Sequence, residues 1–166
     1  MQKWIHMVGL GGFSRLPHLY SAGIQSTDTV RYRASGMDWA GESRCVFQYT
    51  ISGYGFLSYY GTPYKVTPGQ AFMVYKNPTD ISYYYPAEAT EPWSFVFCDI
   101  CNFNEAVEQL NSRHGPVYDF GRDSFLAKKL IALVERQQQD EAMLSSTESF
   151  EICTNILLEM CRIVEE

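Results

Sequence analysis

The sequence predicts a mainly β domain closed by C-terminal helices, on three observations. Between residues 45 and 101, short segments rich in Tyr, Phe and Val alternate with tight-turn residues at intervals of about ten, the spacing of an antiparallel sandwich or barrel. After residue 101 the apolar residues recur at helical instead of strand spacing. Charge shifts at the same place: residues 1–44 carry a net +2, residues 45–100 a net −2 and residues 101–166 a net −6.

Taken in order, Thr29 to Ala34 reads as a strand in which Arg31 and Arg33 flank Tyr32. From Cys45 to Ser52, strand alternation puts Cys45, Phe47, Tyr49 and Ile51 on one face and Val46, Gln48, Thr50 and Ser52 on the other. Gly53-Tyr54-Gly55 turns the chain into a strand from Phe56 to Tyr60, and Gly61-Thr62-Pro63 into one from Tyr64 to Thr67. Pro68-Gly69 supplies the fixed φ and the tolerance of positive φ that a type II turn needs. Strands follow at Ala71 to Tyr75, Ile81 to Tyr85 and Trp93 to Cys101, the last two expected to pair across the Pro86–Pro92 loop. Residues 104–110 form a short helix and Val117 to Phe120 a return strand. Asp123 is expected to cap a helix with Leu126, Leu130, Leu133 and Val134 along one stripe. Ser145 and Glu148 have capping-box spacing, opening a helix whose broad apolar face includes Ile152, Ile156, Leu157, Met160 and Val164. The two helices form an antiparallel hairpin. The second runs to Glu166 without a Gly or Pro stop, which suggests that the natural chain continues.

The chain has 166 residues, 46% hydrophobic and 19% charged, enough for one domain with its own core and incompatible with disorder. The net charge of −6 argues against holding duplex DNA by phosphate neutralisation, so no direct nucleic-acid contact is expected. No apolar run of about 18 residues exists to span a membrane, and Met1 to His6 lacks the features of a secretory signal. The five cysteines are scattered and odd in number, which fits a reducing cytoplasm better than a disulfide framework.

Metal chemistry needs imidazoles converging on one ion, and His6, His18 and His114 all fall outside the predicted sheet, so neither metal nor cofactor is expected. Cys98 and Cys101 have CxxC spacing but project to opposite faces of a strand, too far apart for redox pairing. No GxSxG elbow or other nucleophile arrangement stands out, and the chain is read as no enzyme. What remains is aromatic. Trp93, Phe95, Phe97 and Asp99 share one strand face, and Ser82 and Tyr84 another. If those faces point into a barrel, its mouth offers flat rings and a few hydroxyls, a surface suited to a sugar or a small aromatic ligand. An inward Arg33 would need a ligand or a carboxylate such as Asp99.

Phe47 to Gly55, Tyr64 to Phe72, Tyr83 to Pro86 and Pro92 to Phe97 stand in an order that resembles the N-terminal sensor domain of AraC-type transcription regulators. That pattern runs S-G-x-G, P-G-D, h-x-Y and W-x-f-x-W-x-x-F. Gln70 replaces its acidic residue, Phe97 its frequent Trp and Asp99 its common His. The resemblance implies a cupin-like jelly-roll over residues 1–121 with an N-terminal arm, Phe13 to Tyr20, folding over a small-molecule effector. It also implies a helical segment over residues 122–166 that forms a homodimer, and a DNA-reading helix-turn-helix half that this sequence lacks. By that likeness Arg33, Tyr84, Phe95 and Phe97 line the effector pocket, with Tyr49 as a further candidate. The alternatives are a metal-independent cupin enzyme and a free-standing carbohydrate-binding protein.

Overall fold

The structure, a computed structural model, describes residues 2–6, 15–35, 44–76, 79–140 and 144–166. In chain order the elements are β1 (Gln2–His6), β2 (His18–Thr27), β3 (Arg33–Ser35), β4 (Arg44–Ser52), β5 (Gly55–Tyr59), β6 (Thr62–Val66), β7 (Gln70–Tyr75), β8 (Ile81–Tyr84), β9 (Trp93–Cys101), α1 (Asn104–His114), β10 (Val117–Asp119), α2 (Phe125–Asp140) and α3 (Ser146–Glu165). The strands form a six-stranded sheet, β1-β2-β9-β4-β7-β10, and a four-stranded sheet, β3-β8-β5-β6. All pairings are antiparallel, and the two sheets enclose a jelly-roll interior.

Two apolar layers hold this together. One lies between the sheets and contains Val46, Leu57, Val66, Phe72, Val74, Ile81, Tyr83, Trp93 and Phe95. The other lies between the large sheet and the helices, where Phe47, Tyr49, Val96, Cys98 and Ile100 meet Leu130, Val134, Ile152, Ile156 and Met160. Successive residues of β4 and β9 therefore enter different cores, and both strands are buried almost continuously. The alternation expected from Cys45 onward is present, but neither face of β4 meets solvent until Ile51.

The expected turn is built as the sequence implies: Gln70 N–H donates to the Thr67 carbonyl at 2.9 Å, with Gly69 at φ +93°. The Ser145 hydroxyl accepts from Glu148 N–H at 3.1 Å, starting α3 where the capping box placed it. At the start of α2 the cap differs. Ser124, not Asp123, accepts from the Ala127 N–H at 3.3 Å, while the Asp123 carboxylate receives Lys128 Nζ. Residues 28–32 are loop and turn, so the strand expected from Thr29 begins only at Arg33. His6 and His18, expected outside the sheet, lie in β1 and β2. The arm expected from Phe13 to Tyr20 is also corrected: His18 to Tyr20 open β2, and residues 13–14 fall outside the described ones. Nor do β8 and β9 pair. They belong to different sheets, β8 between β3 and β5, β9 between β2 and β4.

The helices form the expected antiparallel pair, bridged by Lys129–Glu151 at 2.7 Å and Arg136–Glu148 at 2.6 Å. Such surface pairs contribute little, about 0–1 kcal/mol each, so the docking of α3 rests on its apolar face and one buried bond. At a bulge in β2 between Leu19 and Ser21, the Leu19 N–H donates to Ser149 Oγ on α3 at 2.8 Å. Ser149→Ala would strand that buried donor, at a cost of about 1–3 kcal/mol. The expected result is a melting temperature lower by about 2–4 °C for each kcal/mol, and an unchanged value would show that the bond does not hold α3 in place.

Candidate functional site

The inner face of the large sheet has two unlike ends. At the first, Trp93 and Phe95 of β9 are fully buried, their ring centroids 4.8 Å apart. Tyr32 stands edge-on to Trp93 at 6.1 Å and tilted against Phe95 at 5.8 Å. Tyr83 of the small sheet meets Phe72 at 4.9 Å. The Trp93 indole N–H donates to Thr50 Oγ1 at 3.1 Å, so even its polar atom is used. These rings pack on one another. Stacking of a sugar against them, the arrangement the sequence suggested, is not available at this end.

The second end is polar. Residues two apart along a strand share a face, so Asp99, Gln48 and Ser21 follow the inward positions of β9, β4 and β2. Asp99, 2% exposed, accepts on Oδ2 from Lys76 Nζ at 2.8 Å and from Ser21 Oγ at 3.0 Å. Arg44 Nη1 lies 3.9 Å from the same oxygen, and its guanidinium covers the Tyr20 ring at 3.8 Å. Among the described residues Asp99 Oδ1 has no hydrogen-bond partner, and neither has Nε2 of Gln48, itself 1% exposed. Phe97 sits between the two ends. It pairs across the sheet with Gly23 and Gln48, is 8% exposed and meets the exposed Trp4 edge-on at 5.6 Å. A Cβ on Gly23 would fall 2.7 Å from the Phe97 ring, so this close approach requires glycine.

Of the candidates drawn from the sequence, Phe95 and Phe97 face the interior. The other three do not line it. Tyr84 lies on the outer face of the small sheet, one register position away from the inward Tyr83. Arg33 stands directly opposite it on β3, exposed, with its guanidinium 5.2 Å over the Tyr84 ring and Nη2 donating to Ser82 Oγ at 3.1 Å. Phe56 stacks on the other side of Tyr84 at 5.9 Å, completing a cross-strand ladder. Tyr49 turns to the helices, where its hydroxyl donates to the Gly121 carbonyl at 2.8 Å. Arg33 therefore never meets Asp99; Lys76 and Arg44 do.

The sequence reading passed over Ser21, Gln48 and Lys76. The available signal was the polar half of the 45–52 alternation: once α2 and α3 cover Phe47 and Tyr49, Gln48 and Thr50 must point into the barrel.

Among the described residues no group of three or more His, Cys, Asp or Glu is placed to hold a metal ion. Cys98 and Cys153 lie in the helix-side core, where burial raises the Cys98 thiol well above its usual range and pushes Cys153 up to about 12. Both are protonated and inert at neutral pH. No described helix is long and apolar enough to cross a membrane.

No family model matches this sequence, and no curated protein does. Solved structures similar in part include the AraC-like transcriptional activator CuxR, at 11% identity and TM-score 0.48, covering 88% of this chain and 51% of the activator. A salicylate 1,2-dioxygenase from Pseudoaminobacter salicylatoxidans matches at 19% identity and TM-score 0.38, over 59% of this chain and 27% of the enzyme. The cupin domain of an XRE family regulator from Enterobacter cloacae matches at 12% and TM-score 0.39, over 60% of this chain and 95% of that domain. This chain thus spans about half of the activator and about a quarter of the dioxygenase. At these TM-scores the fold assignment rests on the strand order itself. The expectation that the chain is no enzyme is corrected: with a dioxygenase among the similar barrels, its enzyme status is established in neither direction.

Proposed function

We propose that this chain is the effector-sensing and dimerising module of an AraC-type transcription regulator, working in the cytoplasm and taking a small molecule into its β-barrel. The observation that carries this reading is the polar end of the barrel. A hydrophobic interior of the same volume would be at least as stable as a buried carboxylate–ammonium pair, so Asp99 and Lys76 are better explained by recognition than by packing. The ordered motifs from Phe47 to Phe97 support the family, and the C-terminal helices packed on the sheet support the architecture.

The test is the melting temperature of the full chain against sugars, aromatic acids and amides. A ligand at a hundredfold its Kd adds about 2.7 kcal/mol to native stability, a rise of about 5–10 °C for a chain of this size. A panel in which no compound raises the melting temperature would count against the reading.

Dimerisation is expected through what α3 leaves uncovered. Ile152, Cys153, Ile156 and Met160 are consumed by the chain's own sheet. Leu158, 49% exposed, and Phe125 at the start of α2, 75% exposed, border an open cleft of about 270 Å³ together with Phe120 and Arg162. Leu158→Glu replaces one of the exposed apolar side chains of that cleft with a charge without touching the core. Sedimentation should give a dimer for the unmodified chain and a monomer for the variant; a monomer in both removes the dimer.

A further inference from the structure

We infer that the barrel's polar end selects an uncharged ligand edge in which a hydrogen-bond donor sits beside an acceptor, the donor bonding Asp99 Oδ1 and the acceptor bonding Gln48 Nε2. The inference rests on the ligand-binding reading above and specifies the chemistry that site takes. Both atoms are buried and, among the described residues, without a hydrogen-bond partner, although Asp99's other oxygen has two close ones. Buried polar groups are nearly always satisfied, and two exceptions on adjacent strands of one interior mark a place built to meet something polar.

Chemistry fixes the direction of each bond. An ionised carboxylate only accepts, and an amide NH₂ only donates. Register fixes their spacing: Gln48 stands opposite Phe97 and Asp99 opposite Val46, which makes them diagonal neighbours on one face, with α-carbons about 7–8 Å apart. One small molecule can span that interval. A carboxylate ligand has no proton for Oδ1 and meets the charge of Asp99, whereas an ammonium has no lone pair for Nε2. Amides, lactams and vicinal diols satisfy both atoms, and the Phe97 ring provides an apolar wall beside them.

Calorimetry on the full chain tests this with benzamide for the amide source, cis-1,2-cyclohexanediol for the diol source, and benzoate as the acceptor-only isostere of benzamide. Benzamide or the diol should bind, and benzoate should bind at least about tenfold more weakly. Gln48→Met keeps the side-chain length and removes the amide; it should fold with an undiminished melting temperature and weaken the binding probe about tenfold, the scale of one hydrogen bond. Benzoate binding as tightly as benzamide, or a probe indifferent to Gln48→Met, overturns the inference. So does binding of neither probe, and a Gln48→Met chain less stable than the unmodified one would then assign the two atoms to a structural water. If another compound of the panel raises the melting temperature while neither probe binds, this inference fails and the sensing reading stands. If no compound does, both fail.

Discussion

Trp93→Ala is expected to destabilise the protein by about 3–5 kcal/mol, the range for truncating a large buried ring. Its indole is fully buried, packs on Phe95 and Tyr32, and donates to Thr50 Oγ1, so the substitution opens a cavity and also strands a buried hydroxyl. Trp93→Phe should cost less, because it refills most of the space and loses chiefly the hydrogen bond. Urea denaturation measures both. A loss below about 1 kcal/mol for the alanine variant would mean that the aromatic end is loosely filled, and the division of the barrel into a packed end and a binding end would fall with it.

Asp99→Ala is expected to be as severe, about 3–5 kcal/mol, for a different reason. It removes the carboxylate that Lys76 and Ser21 share, inside a region where charge is poorly solvated. The decisive comparison is the double variant Asp99→Leu with Lys76→Met. Replacing both ions by apolar side chains removes the desolvation cost along with the attraction, so stability should recover most of the loss while ligand binding is abolished. Recovery of stability together with retained binding would show that the pair has no part in recognition. A double variant no more stable than Asp99→Ala would show instead that the pair is a structural necessity.

How much of this was legible in the sequence differs by element. The strand from Trp93 to Cys101, the turn at Pro68-Gly69 and the capping box at Ser145 are local, and each appears where its residues put it. β2 was not legible. His18 to Thr27 presents Ser21, Gly23 and Gln25 at alternate positions, which reads as loop until Asp99 and Phe97 of β9 lie opposite. The run Tyr83-Tyr84-Tyr85 has no alternation, so nothing local decides which tyrosine enters the barrel. A shift of one residue exchanges inside for outside, and that shift separates Tyr84 and Arg33 on the outer ladder from Tyr83 within. Tyr49 was ambiguous because β4 is buried on both faces. Gln48 was missed for a related reason: a polar residue in a strand suggests solvent, and only the helices packed on the other face turn it inward; Lys76 stands one residue past the end of β7, where no strand alternation places it.

Chemical-shift mapping by NMR during titration with whichever compound raises the melting temperature most tests the central claim directly. The account predicts that perturbations concentrate at Gly23, Gln48, Phe97 and Asp99, with the Gln48 side-chain NH₂ among the largest. Perturbations concentrated instead at Arg33, Phe56 and Tyr84 would place the ligand on the outer ladder and contradict it.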